Sequence, residues 1–287
     1  MENSEFPALY RSAGKLSEAS QRKFFRALIA HLVFLTTAAA LSVVNHPSSY
    51  AALTQAVVML AALACSIYLF STRPEKIWYS ARALAESIKT LSWRYVCKAE
   101  PFQTADEVSR AAFVKKLKDV LKQNIDLAGK FTDHLDEAQL TSAMEKHRAD
   151  SLEMRKKRYR DCRISDQLSW YTEKSRVNGN KAAIFFATLI VLNVLAILFA
   201  LGKISYPAAP YWPTDIFIAA GACVLTWMQA KRFSELSAAY ALAAVEINLV
   251  SLDALKPQTL EEFSEFVGDA ENAFSREHTQ WVARKDR

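Results

Sequence analysis

The residues best suited to acid–base chemistry lie close together near the C-terminus. One predicted helix contains Glu271, Arg276, Glu277 and His278. Neighbouring helical positions point about 100° apart, so Glu277 and His278 do not converge on one proton. His278 instead shares an apolar stripe with Trp281, as residues three apart do on a helix. We therefore predict that this group makes contacts between helices and catalyses no reaction.

Other catalytic and metal-binding patterns are missing from the sequence. The four cysteines are isolated and lack the spacing of zinc ligands; they are Cys65, Cys97, Cys162 and Cys223. The sequence also lacks a glycine-rich phosphate loop, a Ser-His-Asp pattern and a His-Glu-x-x-His motif. We predict a protein that is not an enzyme and holds no cofactor or metal.

Long apolar runs without Asp, Glu, Lys or Arg are the elements that must position any functional side chain. These runs are Ala27–Val44, Ala51–Phe70, Ala182–Leu201 and Ile216–Ala230. A helix needs about 20 such residues to cross a hydrocarbon core of about 30 Å. We therefore predict transmembrane helices at about 25–45, 51–71, 182–202 and 212–230. Because no segment alternates as a strand does, the predicted fold class is an all-α membrane protein, with four transmembrane helices as two hairpins and long cytoplasmic helices.

The basic residues orient these hairpins. The chain has 36 Lys and Arg residues, but the first hairpin contains none and the second contains only Lys203. Basic residues next to spans stay cytoplasmic, which predicts outward hairpin tips and cytoplasmic N- and C-termini. The basic run RKKRYRDCR at 155–163 is then expected to form a collar above the membrane surface. The net charge of +6 follows from this topology and does not indicate a nucleic acid polymer as partner.

The two hairpins resemble each other in sequence. Phe24-Phe25 recurs as Phe185-Phe186, and ARALA at 81–85 recurs as AYALA at 239–243. A nearly constant offset between such matches is typical of an internal repeat. We predict two tandem units, 1–130 and 131–287, each with one hairpin and its cytoplasmic helices. Two capping-box patterns, at 104–107 and 259–262, predict the starts of two of those helices.

A few polar side chains lie inside the apolar runs. They are His31, Thr37, Gln55, Asn193 and Gln229. Polar groups in hydrocarbon face other helices or water, so these residues are candidates either to line and gate a pore or to form hydrogen bonds between helices of one chain. Four spans are few to enclose a conduit, and we expect any conducting form to be a homo-oligomer.

Three segments carry a resemblance to a known family. They are KIWYSARALAESIKTLSWRY at 76–95, RISDQLSWYTEKSRVNGNK at 163–181 and DAENAFSREHTQWVARKD at 269–286. Together they resemble the SLATT domains, the two-transmembrane effector domains that associate with SMODS nucleotidyltransferases and SLOG nucleotide-binding domains. The resemblance covers nearly the whole chain as two tandem SLATT units.

The resemblance implies a bacterial inner-membrane effector of an anti-phage, abortive-infection system. Such a protein would form an oligomeric pore or disrupt the membrane when a cyclic-nucleotide signal appears. Its implied partners are membrane lipid, other copies of the chain, and a nucleotide second messenger or a nucleotide-sensing protein. The alternative is a membrane-anchored helical scaffold that recruits a cytoplasmic partner without conducting.

The family-resembling segments also supply candidate cytoplasmic residues. Their spacing puts several of them on shared helical faces, where they either pack one helix on another or contact the signal. These candidates are Trp78, Arg82, Glu86, Trp93, Arg94, Gln167, Trp170, Tyr171, Lys174 and Asn178, together with Glu271, Arg276, Glu277, His278 and Trp281 of the last helix.

Overall fold

A computed structural model gives the structure of the chain; it describes residues 1–43 and 49–283, with the side chains of the last helix described as far as Phe274. Every regular element in this part of the chain is helical, which confirms the predicted all-α fold. The helices are α1 (Ala8–Val43), α2 (Ser49–Thr72), α3 (Pro74–Val96), α4 (Asp106–Gln123), α5 (Ile125–Ala128), α6 (Ser142–Ala149), α7 (Leu152–Tyr159), α8 (Ser165–Ser205), α9 (Thr214–Lys231), α10 (Phe233–Asp253) and α11 (Leu260–Ala283). A 3₁₀ turn at Asn3–Glu5 precedes α1, and a π-helical turn at Arg160–Ile164 joins α7 to α8.

The four predicted spans fall in α1, α2, α8 and α9. Each belongs to a helical stretch that is long and apolar enough to cross a membrane, which confirms the predicted number of spans. The last two positions of the first predicted span, residues 44 and 45, lie outside the described residues. Helices α1 and α8 have 36 and 41 residues, more than a bilayer core requires. Both helices therefore also supply residues outside the apolar runs.

The chain divides into two compact units. We call the first the polar unit; it consists of Met1–Gln21, Glu75–Thr172 and Ala241–Arg287. We call the second the span unit; it consists of Arg22–Pro74 and Glu173–Tyr240. These units are defined by contacts, whereas the division at 130/131 follows the sequence repeat and stays a prediction.

The polar unit has an aromatic and aliphatic core. Tyr95 packs against Phe113 and Phe102, with ring centroids 4.8 and 5.7 Å away. Leu84 and Ile88 of α3 are buried in the same cluster. Burying such side chains stabilises a fold by roughly 1.5–3 kcal/mol each. This core fixes the position of α3 and therefore of the polar side chains on its other face.

The basic run at 155–163 is partly buried, so the predicted collar is wrong for Arg155, Lys156 and Arg163, whereas Lys157 is exposed. Arg155 is buried and donates from Nη1 to the Cys97 carbonyl at 2.9 Å. Arg163 is 2 % exposed and pairs with Glu271. A buried cation is tolerated only where hydrogen bonds and opposite charge replace its water. Carbonyl and carboxylate partners from distant elements make the burial of Arg155 and Arg163 possible.

The two capping-box predictions have opposite outcomes. At Thr259 the box is present, because the Glu262 amide donates to the Thr259 hydroxyl at 3.2 Å and the Glu262 carboxylate accepts from the Thr259 amide at 3.3 Å. At 104–107 the predicted helix does begin, at Asp106, but the capping box is absent, because Ala105 is the N-cap residue and no side chain caps the helix. The Thr104 hydroxyl instead lies 3.1 Å from the Ser109 hydroxyl.

Most buried residues of the four apolar runs are small, with Leu28 as the exception. Ala38, Ala62, Ala196 and Gly221 are buried, whereas many large apolar side chains of the same helices are exposed. Helices in lipid associate through small residues because lipid removes the hydrophobic drive to bury large ones. The distribution of side chains is therefore that of a helical unit with an apolar surrounding.

Candidate functional site

The polar unit contains a cavity of about 470 Å³ lined mainly by α1, α3 and α8. Five of the candidate residues from the sequence line it. Two come from α3 and three from α8: Arg82, Glu86, Gln167, Trp170 and Tyr171. This cavity thus brings together two of the three segments that carried the family resemblance.

Helical spacing presents these groups on one side of α3. Arg82, Glu86 and Lys89 recur at intervals of four and three residues and all line the cavity, as residues on one face do. Leu84 and Ile88 alternate with them and are buried in the core. The same helix therefore uses one face for packing and the other for a polar cavity.

Aromatic and cationic groups meet in this cavity. The Arg82 guanidinium lies 5.8 Å from the centre of the Trp170 ring, within cation–π range. Burial, reinforced by the nearby Glu86 carboxylate, raises the pKa of Tyr10 to about 12, so its phenol is a neutral hydrogen-bonding group at neutral pH. The cavity can therefore offer both a stacking surface and polar contacts.

Lys89 is the cavity's unusual cation. Burial, together with the positive charge of Arg163, lowers the pKa of Lys89, although Glu86 and Asp166 partly oppose this shift. In the described part of the chain no carboxylate forms an ion pair with Lys89. Its ammonium is thus held in a partly dehydrated position, where an anionic group would remove the electrostatic penalty.

Two other basic residues of the cavity, Arg11 and Lys15, are already paired at its rim. Arg11 contacts the Glu137 carboxylate at 2.5 Å, and Lys15 contacts Asp133 at 3.1 Å. The Ser12 hydroxyl donates to the Asp133 carbonyl at 2.6 Å. These contacts hold the connection between α5 and α6 against α1 and distinguish the rim cations from Lys89.

A buried ion pair also fixes the approach of α11 to the segment that precedes α8. Glu271 accepts from Arg163 Nε at 2.8 Å and from Nη2 at 2.7 Å. The Tyr159 and Thr90 hydroxyls donate to the same carboxylate at 3.0 and 2.9 Å. Burial opposes the charge of Arg163, but Glu271 more than compensates and raises the pKa of Arg163 further. With its oxygens engaged, Glu271 has a structural environment, not that of a free acid or base.

The remaining candidates from the sequence do not line this cavity. Trp93 is buried, and its ring centroid lies 5.7 Å from that of Tyr159. The Trp78 ring stacks on that of Tyr79, and Arg94 donates to the Gly268 carbonyl and the Asn272 side chain. Asn178 donates to the Lys174 carbonyl. The side chains of Arg276, Glu277, His278 and Trp281 lie outside the described residues. None of the described His, Cys, Asp and Glu side chains forms a group of three or more that could hold a metal.

Sequence reasoning missed several cavity residues. Tyr10 and Glu18 of α1 line the cavity with Asp166, and none of the three was singled out as a site residue. Asp166 could have been found, because it directly precedes Gln167 in the family-resembling segment. Nothing in the sequence distinguishes Glu18 from other exposed helical acids, because its role depends on where α1 packs.

The polar residues of the span unit fall into two groups. His31 Nδ1 lies 3.0 Å from the Ala62 carbonyl, which can only accept, so this nitrogen carries the proton. Gln55 donates to the Ala38 carbonyl at 3.4 Å. Both bonds connect α1 with α2. The second group is exposed on the surface of the unit and consists of Thr37, Asn193 and Gln229.

Asn193 has a defined position in this second group. Its amide donates to the Leu189 carbonyl of its own helix at 2.8 Å. Its side chain also faces Gly221 of α9, where an added Cβ would lie 3.9 Å from the Asn193 amide nitrogen. Part of its hydrogen-bonding capacity is left for a further partner.

Comparison with protein families gives two matches in tandem. The model of SMODS and SLOG-associating 2TM effector domain 3 matches residues 7–156, which is more than half of the chain. The model of SMODS and SLOG-associating 2TM effector domain 1 matches residues 159–281. Comparisons with curated proteins and with solved structures found no match.

Proposed function

Because the chain belongs to the SLATT family, as two tandem SMODS and SLOG-associating 2TM effector domains, we propose that it is a bacterial inner-membrane effector whose oligomer permeabilises the membrane in response to a nucleotide signal. The family is linked to anti-phage systems. In this proposal the polar unit and both termini are cytoplasmic, as the distribution of basic residues predicts.

The observation that carries the proposal is the cavity of the polar unit. It combines an Arg82–Trp170 pair that suits a stacked base with a buried Lys89 that suits a phosphate. A cavity of a few hundred Å³ has the size of a small-ligand site. A nucleotide second messenger fits this chemistry better than an apolar ligand would.

The same helices that line the cavity offer a path to the membrane. Helices α1 and α8 supply cavity residues and also contain the first and third apolar runs. A ligand shifts an equilibrium only by binding one state more tightly than the other. We infer that ligand contacts with Trp170 and Lys89 favour one arrangement of these helices.

The exposed polar groups of the span unit support an oligomeric pore. Asn193 and Gln229 are exposed on a mainly apolar surface. Polar side chains in hydrocarbon cost free energy unless they meet water or another polar group. Neighbouring copies around an aqueous path would supply both.

The proposal is tested by dye release from vesicles that contain the purified protein. A panel of cyclic di- and trinucleotides is added, and at least one is expected to release the dye. Lys89→Met should abolish the response without unfolding the protein, because it removes a charge that burial disfavours. Lys116→Met, on the exposed face of α4, is the matched control.

A second pair of variants tests the span unit. Asn193→Leu should change the release rate, whereas Thr188→Val should not, because the single hydroxyl hydrogen of Thr188 is used by the Ile184 carbonyl, while the Asn193 amide keeps a second hydrogen and its oxygen for a further partner. Wild-type vesicles that release no dye with any nucleotide of the panel contradict the proposal. Anti-phage protection that survives replacement of both hairpins by unrelated ones would favour the scaffold instead.

A further inference from the structure

The span unit contains a second cavity, an apolar groove of about 530 Å³ formed by α1, α8 and α9. Ile29 and Val33 of α1, Phe185 of α8 and Val224 and Trp227 of α9 line it. Such a volume is typical of a site for one small ligand.

Two of the polar side chains of the groove, Thr36 and Cys223, form hydrogen bonds within the protein; Thr37 also lines the groove. The Thr36 hydroxyl donates to the Leu32 carbonyl at 3.0 Å and lies 3.4 Å from the Cys223 sulfur. The Cys223 thiol in turn lies 3.5 Å from the Leu32 carbonyl. The wall of the groove is therefore mainly apolar, which favours an apolar ligand.

Two lysines lie at one end of this groove. The Lys231 ammonium is 4.9 Å from the centre of the Trp227 ring and 3.3 Å from that of Phe25. Lys181 lies about one helical turn before Phe185, which lines the groove, and near enough to Lys231 to repel it. Neither lysine forms an ion pair with a carboxylate of the described residues. Two like charges held together without a counter-ion favour an anionic partner.

We propose that this groove binds an anionic phospholipid, with an acyl chain along the apolar wall and the phosphate between Lys181 and Lys231. Basic pockets between membrane helices recognise lipid head groups in this way. The aromatic rings of Phe25 and Trp227 mark the level of the membrane interface. A zwitterionic lipid also matches the apolar wall and has a phosphate, but the cation of its head group offsets that charge and leaves a net positive charge at the two lysines.

This proposal is independent of the signal and of pore formation, because it concerns only contacts within the span unit. Trp227 lines the groove, so its fluorescence reports the occupant directly. The protein is placed in vesicles of zwitterionic lipid that contain a small fraction of lipid with brominated acyl chains, which quench tryptophan on contact. A Trp227→Phe protein gives the signal of the other tryptophans, which is subtracted.

Brominated anionic lipid is expected to quench Trp227 more strongly than brominated zwitterionic lipid at equal mole fraction. The preference should correspond to roughly fivefold in affinity for each lysine, as about 1 kcal/mol per basic residue near the membrane surface implies. Lys181→Gln should lower the preference, and the double variant with Lys231→Gln should abolish it. Lys231→Arg should keep it, as should Lys203→Gln, which removes an exposed charge at the other end of α8.

Three results would overturn the proposal. The first is equal quenching by the two lipids in the wild-type protein, which means that the groove holds bulk lipid only. The second is an unchanged preference after Lys181→Gln, an exposed substitution that does not endanger the fold. The third is a Trp227 that neither lipid quenches, which means that protein, such as a second copy of the chain, covers the groove.

Discussion

Removing the carboxylate charge of Glu271 should destabilise the polar unit strongly. The variant Glu271→Gln keeps the size of the side chain, but one carbonyl oxygen replaces two carboxylate oxygens, of which one accepts from Tyr159 and the other from Thr90. It leaves the Arg163 guanidinium charged in a position that is 2 % exposed. Breaking a buried pair by removing one partner costs about 3–5 kcal/mol, which for a domain of 150–250 residues lowers the midpoint of thermal unfolding by roughly 6–20 °C.

A double variant separates the charge from the packing. In Arg163→Met with Glu271→Gln neither partner of this pair is charged, and the glutamine amide can accept from one of the Tyr159 and Thr90 hydroxyls and donate to the other. Its stability should therefore exceed that of Glu271→Gln alone, and the two substitutions should be coupled by about 1–3 kcal/mol. Arg110→Met is the control, because its pairing with Glu145 is open to water and little change is expected.

Denaturant unfolding of the detergent-solubilised protein measures these differences. Trp93 fluorescence is a suitable reporter, because Trp93 is buried and its ring lies 5.7 Å from that of Tyr159, whose hydroxyl donates to Glu271. A loss below about 1 kcal/mol for Glu271→Gln, typical of an exposed pair, would refute the reasoning. Strict additivity in the double variant would refute it equally.

Three further predictions concern other parts of the molecule. Burial raises the pKa of Tyr10 to about 12, so the stabilisation that comes from the neutral phenol is complete below the unfolded pKa of about 10 and is lost as the pH rises towards 12. Tyr10→Phe should therefore reduce the loss of stability between these pH values in alkaline unfolding curves. An unaltered curve would contradict the raised pKa of Tyr10. His31→Leu removes a hydrogen bond between spans and should cost about 0.6–2 kcal/mol in detergent unfolding; a fully stable variant would argue against that bond. Gly202→Ala should destabilise the protein, because the new Cβ would lie 2.8 Å from the Trp212 ring, whereas Gly221→Ala meets only atoms at 3.8 Å or more; thermal unfolding of the two variants should differ in this direction, and equal midpoints would contradict the packing.

The sequence alone determined the fold class and the number of spans. Both depend on the length of uncharged apolar runs, which is a local property of the chain, and a run of about 20 residues can satisfy its backbone in lipid only as a helix. The capping box at Thr259 was predictable for the same reason, since its two hydrogen bonds join residues three apart. The three segments that resemble SLATT domains could also be identified from the sequence alone.

Tertiary structure decided which charged residues are buried and which motif residues meet. Arg163 looked like part of a solvated basic run, and only the distant Glu271 made its burial possible. The capping pattern at Thr104 failed because Arg148, from α6, donates to the carbonyls of Phe102 and Thr104 and so helps to set the course of that loop. Arg82 and Trp170 share a cavity because their helices pack together, whereas Trp93 on the same helix as Arg82 turns into the core. Such outcomes depend on contacts between residues far apart in sequence, whose free energies no local pattern contains.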